Sequence, residues 1–176
     1  MYWKHVHHLD IRARLLADRH YSRQNPGTRE FCPPGNKIVL LGLNDDALWV
    51  SHRPDPAAAL EKRRADGFDY WDNPYFRNES SGRASDMIRE ALAITLYIWG
   101  FEQLPPDGFH SFVDPRKVAP VKFGKPEPGR VFRLAGFNLY PVRTKERDLL
   151  RFIMSSEQLR SIEPIEPVYE QVRLFA

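Results

Sequence analysis

The chain has 176 residues, 42 % of them hydrophobic and 28 % charged, with a formal net charge of +3. That length suits one domain and that composition can bury a core, while so small an overall charge does not by itself demand a polyanionic partner. The single cysteine, Cys32, excludes an internal disulfide framework and any zinc site built from several cysteines, and it reads as a small hydrophobe near a turn. Met1 to Leu9 holds no apolar run of the ~7–15 residues a secretory signal needs, and no later stretch reaches the ~18 that span a bilayer. A soluble, cytoplasmic protein with no membrane partner is the expectation.

In chain order, the short apolar alternation in Tyr2 to Leu9 predicts a first strand, and Asp10 caps a helix over Ile11 to Arg19, with Ile11, Leu15 and Leu16 facing inward. Asn25-Pro26-Gly27 breaks that pattern. Lys37 to Gly42 and Ala47 to Ser51 predict a hairpin joined by Leu43-Asn-Asp-Asp46. Pro54 to Ala65 reads as a proline-started, exposed helix ended by Gly67, and Tyr70 to Arg77 as a returning strand in which Pro74 marks an edge or a bulge. From Ser85 or Asp86 the longest helical pattern begins. Met87, Ile88, Ala91, Leu92, Thr95 and Ile98 recur at helical spacing, and with Ile94, Leu96 and Trp99 the surface is apolar nearly all round, so this helix is buried.

Gly108 to Asp114 alternates as a strand closed by Asp-Pro, Lys117 to Glu127 reads as a loop, and Arg130 to Phe137 as a short helix that ends at Gly136 with Phe137 folding back. Strands over Leu139 to Arg143 and Leu149 to Met154 follow, and then an extended C-terminal segment over 155–176. Trp49, Trp71 and Trp99 are core residues on this reading. The fold class is α/β: one domain over 1–176 with a single mixed, mostly antiparallel central sheet flanked by helices. His5 and His7 share a strand face but have no acidic neighbours in sequence, so no metal site is expected. Between Arg116 and Arg151 stand ten cations against three anions, which leaves the rest of the chain net acidic.

The Gly136-Phe137 helix and the element order resemble the GNAT superfamily of acyl-CoA N-acyltransferases, over roughly residues 1 to 154. Glu79-Ser-Ser-Gly-Arg-Ala84 matches that superfamily's Gln/Arg-x-x-Gly-x-Gly/Ala motif except at its first residue. The resemblance implies acetyl-CoA or another acyl-CoA as cofactor, its pyrophosphate held by Arg77, Ser80, Ser81, Gly82, Arg83, Ala84 and Ser85, because glycine lets backbone N–H groups close on phosphate at a helix N-terminus. Many members place a tyrosine general acid where this chain has Phe132; Tyr140 is a possible substitute. Ala17 to Gln24, Phe76 to Glu79, Val113-Asp-Pro115 and Gly129 to Phe137 further resemble a phage and prophage group related to the Mom-type enzymes, which modify the exocyclic amine of adenine in DNA.

That closer resemblance implies duplex DNA as partner, its backbone followed by Arg116, Lys117, Lys122, Lys125, Arg130 and Arg133. The GNAT resemblance puts His20, Tyr21 and Ser22 in the first helix-to-helix loop, which in that superfamily covers the acceptor. His20 suits proton transfer and Tyr21 suits stacking on a flat base, although His, Arg and Tyr equally suit a plain helix C-terminus. Asp114 can orient an amine or simply close its strand, and Glu79 can act as base or repel the pyrophosphate unless Arg77 or Arg83 offsets it. Two other functions stay open: acetyl transfer to a small-molecule or protein amine, and a non-catalytic nucleic-acid-binding module with this fold.

Overall fold

A computed structural model describes residues 1–118 and 127–170, with the backbone alone at 62–64. The chain alternates strands and helices: β1 (Trp3–Val6), α1 (Ile11–Asp18), β2 (Asn36–Gly42), β3 (Ala47–Arg53), α2 (Pro56–Asp66), β4 (Trp71–Asn78), α3 (Ala84–Trp99), β5 (Phe109–Val113), α4 (Arg130–Ala135), β6 (Asn138–Leu139), β7 (Leu150–Met154), α5 (Ser156–Arg160) and β8 (Val168–Tyr169). The strands form one mixed eight-stranded sheet in the order β6-β7-β5-β4-β3-β2-β1-β8, so the fold is α/β. The pairs β1–β8 and β4–β5 are parallel and the others antiparallel.

Alternation along the strands separates two cores. Trp3, Ile38, Leu40, Trp49, Trp71, Phe109 and Phe152 face α3 and α4, whereas Val6, Val39, Leu41, Leu48, Val50 and Tyr75 face α1. The apolar run Met87 to Leu96 sinks α3 into the first core, and Thr95 satisfies its hydroxyl on the Ala91 carbonyl at 2.8 Å while meeting Ser51 at 2.6 Å. Asp10 caps α1 by accepting from the N–H of Arg12 and Ala13. Burial removes Cys32 from reaction as well as from solvent, pushing its thiol up to about 12.

The end of α4 has the paired bonds of a Schellman cap: Phe137 N–H donates to the Phe132 carbonyl and Gly136 N–H to that of Arg133, both at 3.0 Å, with Gly136 at φ +109°. On α1 the inward face is made by Ala13, Leu16 and Ala17, whereas Ile11 and Leu15, expected to face inward, are exposed. Two segments also differ from expectation. The strand predicted over Leu139 to Arg143 stops after Leu139, because Pro141 brings no N–H to the ladder and Thr144 to Asp148 close into a turn instead. The segment after Met154 is not extended throughout: Ser155 and Gln158 form a capping box that starts α5, and the extended β8 follows only beyond Pro164 and Pro167.

Candidate functional site

Strands β4 and β5 run side by side for a short distance and then part. Their pairing covers Trp71–Phe109, Asp72–His110 and Asn73–Ser111, although β4 continues to Asn78 and β5 to Val113. The cause lies in β4. Between Val50 and His52 the register on β4 steps from Tyr75 to Asp72, so Asn73 and Pro74 form a bulge, and Pro74 has no N–H to offer β5. Asn73 secures the bulge by donating from Nδ2 to the Val50 carbonyl at 2.9 Å and the Tyr75 carbonyl at 2.8 Å.

The parting leaves a cleft of about 150 Å³, lined on β4 by Asn73, Pro74 and Phe76, on β5 by Ser111 to Val113, and on the α4 side by Gly129, Val131 and Phe132. At ~30 Å³ per water that is room for about five waters. A larger cavity of about 300 Å³ lies between Arg53, Tyr70, Trp71 and Leu104 to Pro106, at the opposite ends of the same strands. Ligands of open α/β sheets sit beyond the carboxyl ends of parallel strands, which favours the β4–β5 cleft.

His20, Tyr21 and Ser22 come together as a strap across this cleft. Toward β4, Ser22 Oγ lies 3.4 Å from the Pro74 carbonyl and the Phe76 backbone accepts from the His20 ring. Toward β5, Tyr21 Oη accepts from Asp114 N–H at 3.3 Å. The Ser22 N–H donates to His20 Nδ1 at 3.2 Å, so that nitrogen is an acceptor and the ring proton sits on Nε2. His20 also stacks on Tyr21 with ring centroids 4.5 Å apart. Burial, followed by the charge of Arg77, pushes His20 down to about 4, so the ring is neutral at pH 7. Burial likewise raises the Tyr21 phenol, which stays protonated. Ser22 Oγ also lies 2.7 Å from Nδ1 and, with that nitrogen unprotonated, donates to it, so a proton leaving an acceptor reaches His20 through the Ser22 hydroxyl or by displacing Ser22 from Nδ1.

The two carboxylates are differently placed. Asp114 lies at the cleft rim but accepts from Arg116 Nε at 2.8 Å, Nη2 at 3.1 Å and the backbone N–H at 3.0 Å, which holds it below the usual carboxylate range. Glu79 is gripped by Arg19 and Arg77, which hold it at about 2. Both arginines thus offset the charge that departs from the motif, and a carboxylate so weakly basic is a poor proton acceptor. Phe132 is buried among Phe76, Phe137 and Phe152 on the cleft wall, while Tyr140 packs edge-on against Phe68 and does not line the cleft.

The turn from β4 into α3 is braced by Asn78. Its Oδ1 accepts from the Ser80 N–H at 2.9 Å and hydroxyl at 2.6 Å, and Ser80 Oγ in turn accepts from Gly82 N–H at 3.0 Å. The N–H groups of Ser80 and Gly82 are therefore engaged inside the turn. Those of Ser81, Arg83, Ala84 and Ser85 make no hydrogen bond among the described residues, Arg83 gives no side-chain cap, and the buried Ser85 hydroxyl has no partner. A 16-residue helix thus points bare N–H donors past the end of β4.

Beside the strap the 114–117 turn meets the 143–148 turn, where Arg116 Nη2 donates to the Arg147 carbonyl at 2.9 Å. Among the described residues Lys117, Lys145 and Arg147 make no ion pair, whereas Arg116 is held by Asp114, and Arg130 and Arg133 by Glu127. Lys122 and Lys125 lie outside the described residues. The described residues hold no cluster of three metal-capable side chains, and no helix among them is long and apolar enough to cross a membrane.

Reading the sequence missed Arg19, Asn73 and Asn78, and only Asn78 carried a signal, as an Asx residue two positions before Ser80. Comparison of the chain with protein-family models, with curated proteins and with solved structures gives no match.

Proposed function

We propose that the chain is a GNAT-type acyl-CoA N-acyltransferase whose acceptor is an exocyclic base amine in duplex DNA. The observation that carries this reading is the continuity of cleft and helix terminus. The cleft wall at Phe76 and the turn at Glu79 are three residues apart, roughly 10 Å along an extended strand. A donor with an anionic head and a linear arm fits that arrangement, its phosphates on the bare N–H groups of α3 and its acyl end in the cleft. With α2 taken as an excursion between β3 and β4, the remaining element order β1-α1-β2-β3-β4-α3-β5-α4-β6-β7 is compatible with the order expected of that superfamily.

A base amine is almost without basicity, so positioning supplies more than proton abstraction does. Tyr21 and the neutral His20 present stacked ring faces at the cleft mouth, suited to a flat acceptor, and Lys117, Lys145 and Arg147 stand on the rim where a phosphate backbone passes. Phe132 supplies no proton to the departing thiolate, which on this reading leaves unassisted or takes a proton from water.

Mass spectrometry of nucleosides from duplex DNA incubated with the protein and acetyl-CoA tests the proposal. A deoxynucleoside heavier by an acetyl group, absent without protein, supports it. Acetylated small amines with unmodified DNA move the acceptor to the small-molecule class, and salt-dependent DNA binding without coenzyme A binding points to the non-catalytic module.

A further inference from the structure

The turn into α3 brings an anion of its own. Glu79, at its first position, accepts from Arg19 Nε at 2.9 Å and Nη2 at 2.7 Å and from Arg77 Nε, and Arg77 also donates to the Arg19 carbonyl. Side-chain exposures of 48 % for Arg19, 33 % for Glu79 and 30 % for Arg77 leave the trio within reach of a dissolved anion. Two guanidinium groups on one carboxylate keep an excess positive charge, and the planar fork that fits a carboxylate fits phosphate oxygens equally. At the start of α3 the Ser85 hydroxyl is buried with no partner among the described residues. Arg19 directly precedes His20, so the same trio anchors the strap that bridges β4 and β5.

We propose that Glu79 is a built-in placeholder for a donor phosphate: an arriving phosphate or diphosphate displaces its carboxylate from Arg19 and Arg77, and the shift of Arg19 loosens the His20–Ser22 strap. The identity of the donor rests on the acyltransferase reading, but the anion exchange does not. The carboxylate competes with the ligand for the same donors, so anion affinity is lowered by the work of detaching it. Because Arg19 continues into the strap, which is held to β5 by one 3.3 Å bond from Asp114 and touches Pro74 on β4 at 3.4 Å, anion binding opens the cleft to the acceptor. By linkage, an acceptor that holds the strap open raises anion affinity by the same factor.

Calorimetric titration of coenzyme A and of inorganic pyrophosphate into the intact protein and its Glu79→Gln variant tests this, with hydrogen exchange at the Asp114 amide as the strap readout. The variant is expected to bind both anions at least about fivefold tighter, the low end of ordinary couplings, and either anion is expected to speed Asp114 exchange in the unaltered protein. Arg19→Gln is expected to weaken pyrophosphate binding and to speed that exchange with no ligand present. Coenzyme A bound by the unaltered protein but equally or less tightly by Glu79→Gln overturns the placeholder and leaves the acyltransferase reading standing. Coenzyme A bound by neither, with pyrophosphate tighter in the variant, overturns the acyltransferase reading and leaves the placeholder. Neither anion bound by either protein overturns both, and Asp114 exchange indifferent to anion and to Arg19→Gln overturns the coupling to the strap.

Discussion

Asn78 Nδ2 donates to the Gly82 carbonyl at 2.8 Å, closing across the turn that carries β4 into α3. With the bonds its Oδ1 accepts from Ser80, one side chain fixes both ends of the segment whose N–H groups face outward. Asn78→Ala removes three hydrogen bonds at a half-buried turn and is expected to lower stability by about 2 kcal/mol, at ~1 kcal/mol per net bond with partial replacement by water. Urea unfolding checks the loss. Coenzyme A affinity is expected to fall with it, and a variant that unfolds earlier yet binds coenzyme A unchanged shows that the turn does not hold the donor.

Gly82 has an ordinary backbone conformation, so its constraint is space. A Cβ there meets Met87 Sδ at 2.9 Å, Ser80 Oγ at 3.1 Å and Tyr2 Cε1 at 3.3 Å. Met87 can yield partly, which places Gly82→Ala at a cost of about 1 kcal/mol. Gly82→Arg is expected to keep the fold, seen in an unchanged circular-dichroism spectrum, and to abolish coenzyme A binding by filling the approach to the α3 terminus. Unchanged affinity in the arginine variant refutes this placement of the donor.

What the sequence made legible was the part governed by local pattern. Hydrophobic period located α3, the β2–β3 hairpin and β5; Pro74 marked the bulge; Gly136-Phe137 marked a cap that the backbone bonds reproduce. The site's braces escaped because they act between distant segments. Nothing near Arg19 announces Glu79, 60 residues on, and Asn73 reads as an ordinary strand polar residue until Val50 lies beside it across the sheet. Counting cations over 116–151 found the basic region but not its usable members, since Glu127 and Asp114 occupy Arg130, Arg133 and Arg116, whereas Lys145 and Arg147 stand on the 143–148 turn.

His110 predicts an acid limb in stability. It is fully buried, stacked on Tyr70 with ring centroids 4.1 Å apart, and burial followed by the charge of Arg151 pushes it down to about 4. The unfolded ring titrates near its ordinary 6.5, so between those values the unfolded state holds more protons than the folded one. Stability from this group is therefore complete above about pH 6.5 and is lost as the pH falls toward 4, with a slope of up to ~1.4 kcal/mol per pH unit. His110→Phe keeps an aromatic ring against Tyr70 and removes the titration. Urea midpoints at pH 7, 5.5 and 4.5 should show a shallower loss in the variant; parallel curves dismiss the assignment.

Phe132 offers the most direct test of chemistry in the cleft. Its ring lines the cleft and packs 5.8 Å from Phe152 and 5.5 Å from Phe137, while many members of the superfamily this chain resembles carry a proton-donating tyrosine at the corresponding position. Phe132→Tyr adds one hydroxyl at a cleft wall with about 150 Å³ of space beside it, so the core need not move. Desolvating the new hydroxyl in a mostly apolar cleft wall is expected to lower stability by about 1 kcal/mol. If thiolate departure limits transfer, a positioned acid of this kind is worth ~10²–10⁴, and the single-turnover rate with acetyl-CoA is expected to rise at least about tenfold. The gain should vanish above the pH at which the new phenol ionises, a signature that a change in packing alone does not produce. A variant that folds, binds coenzyme A and transfers no faster places the slow step elsewhere, in acceptor positioning, and shifts attention to Tyr21 and the strap.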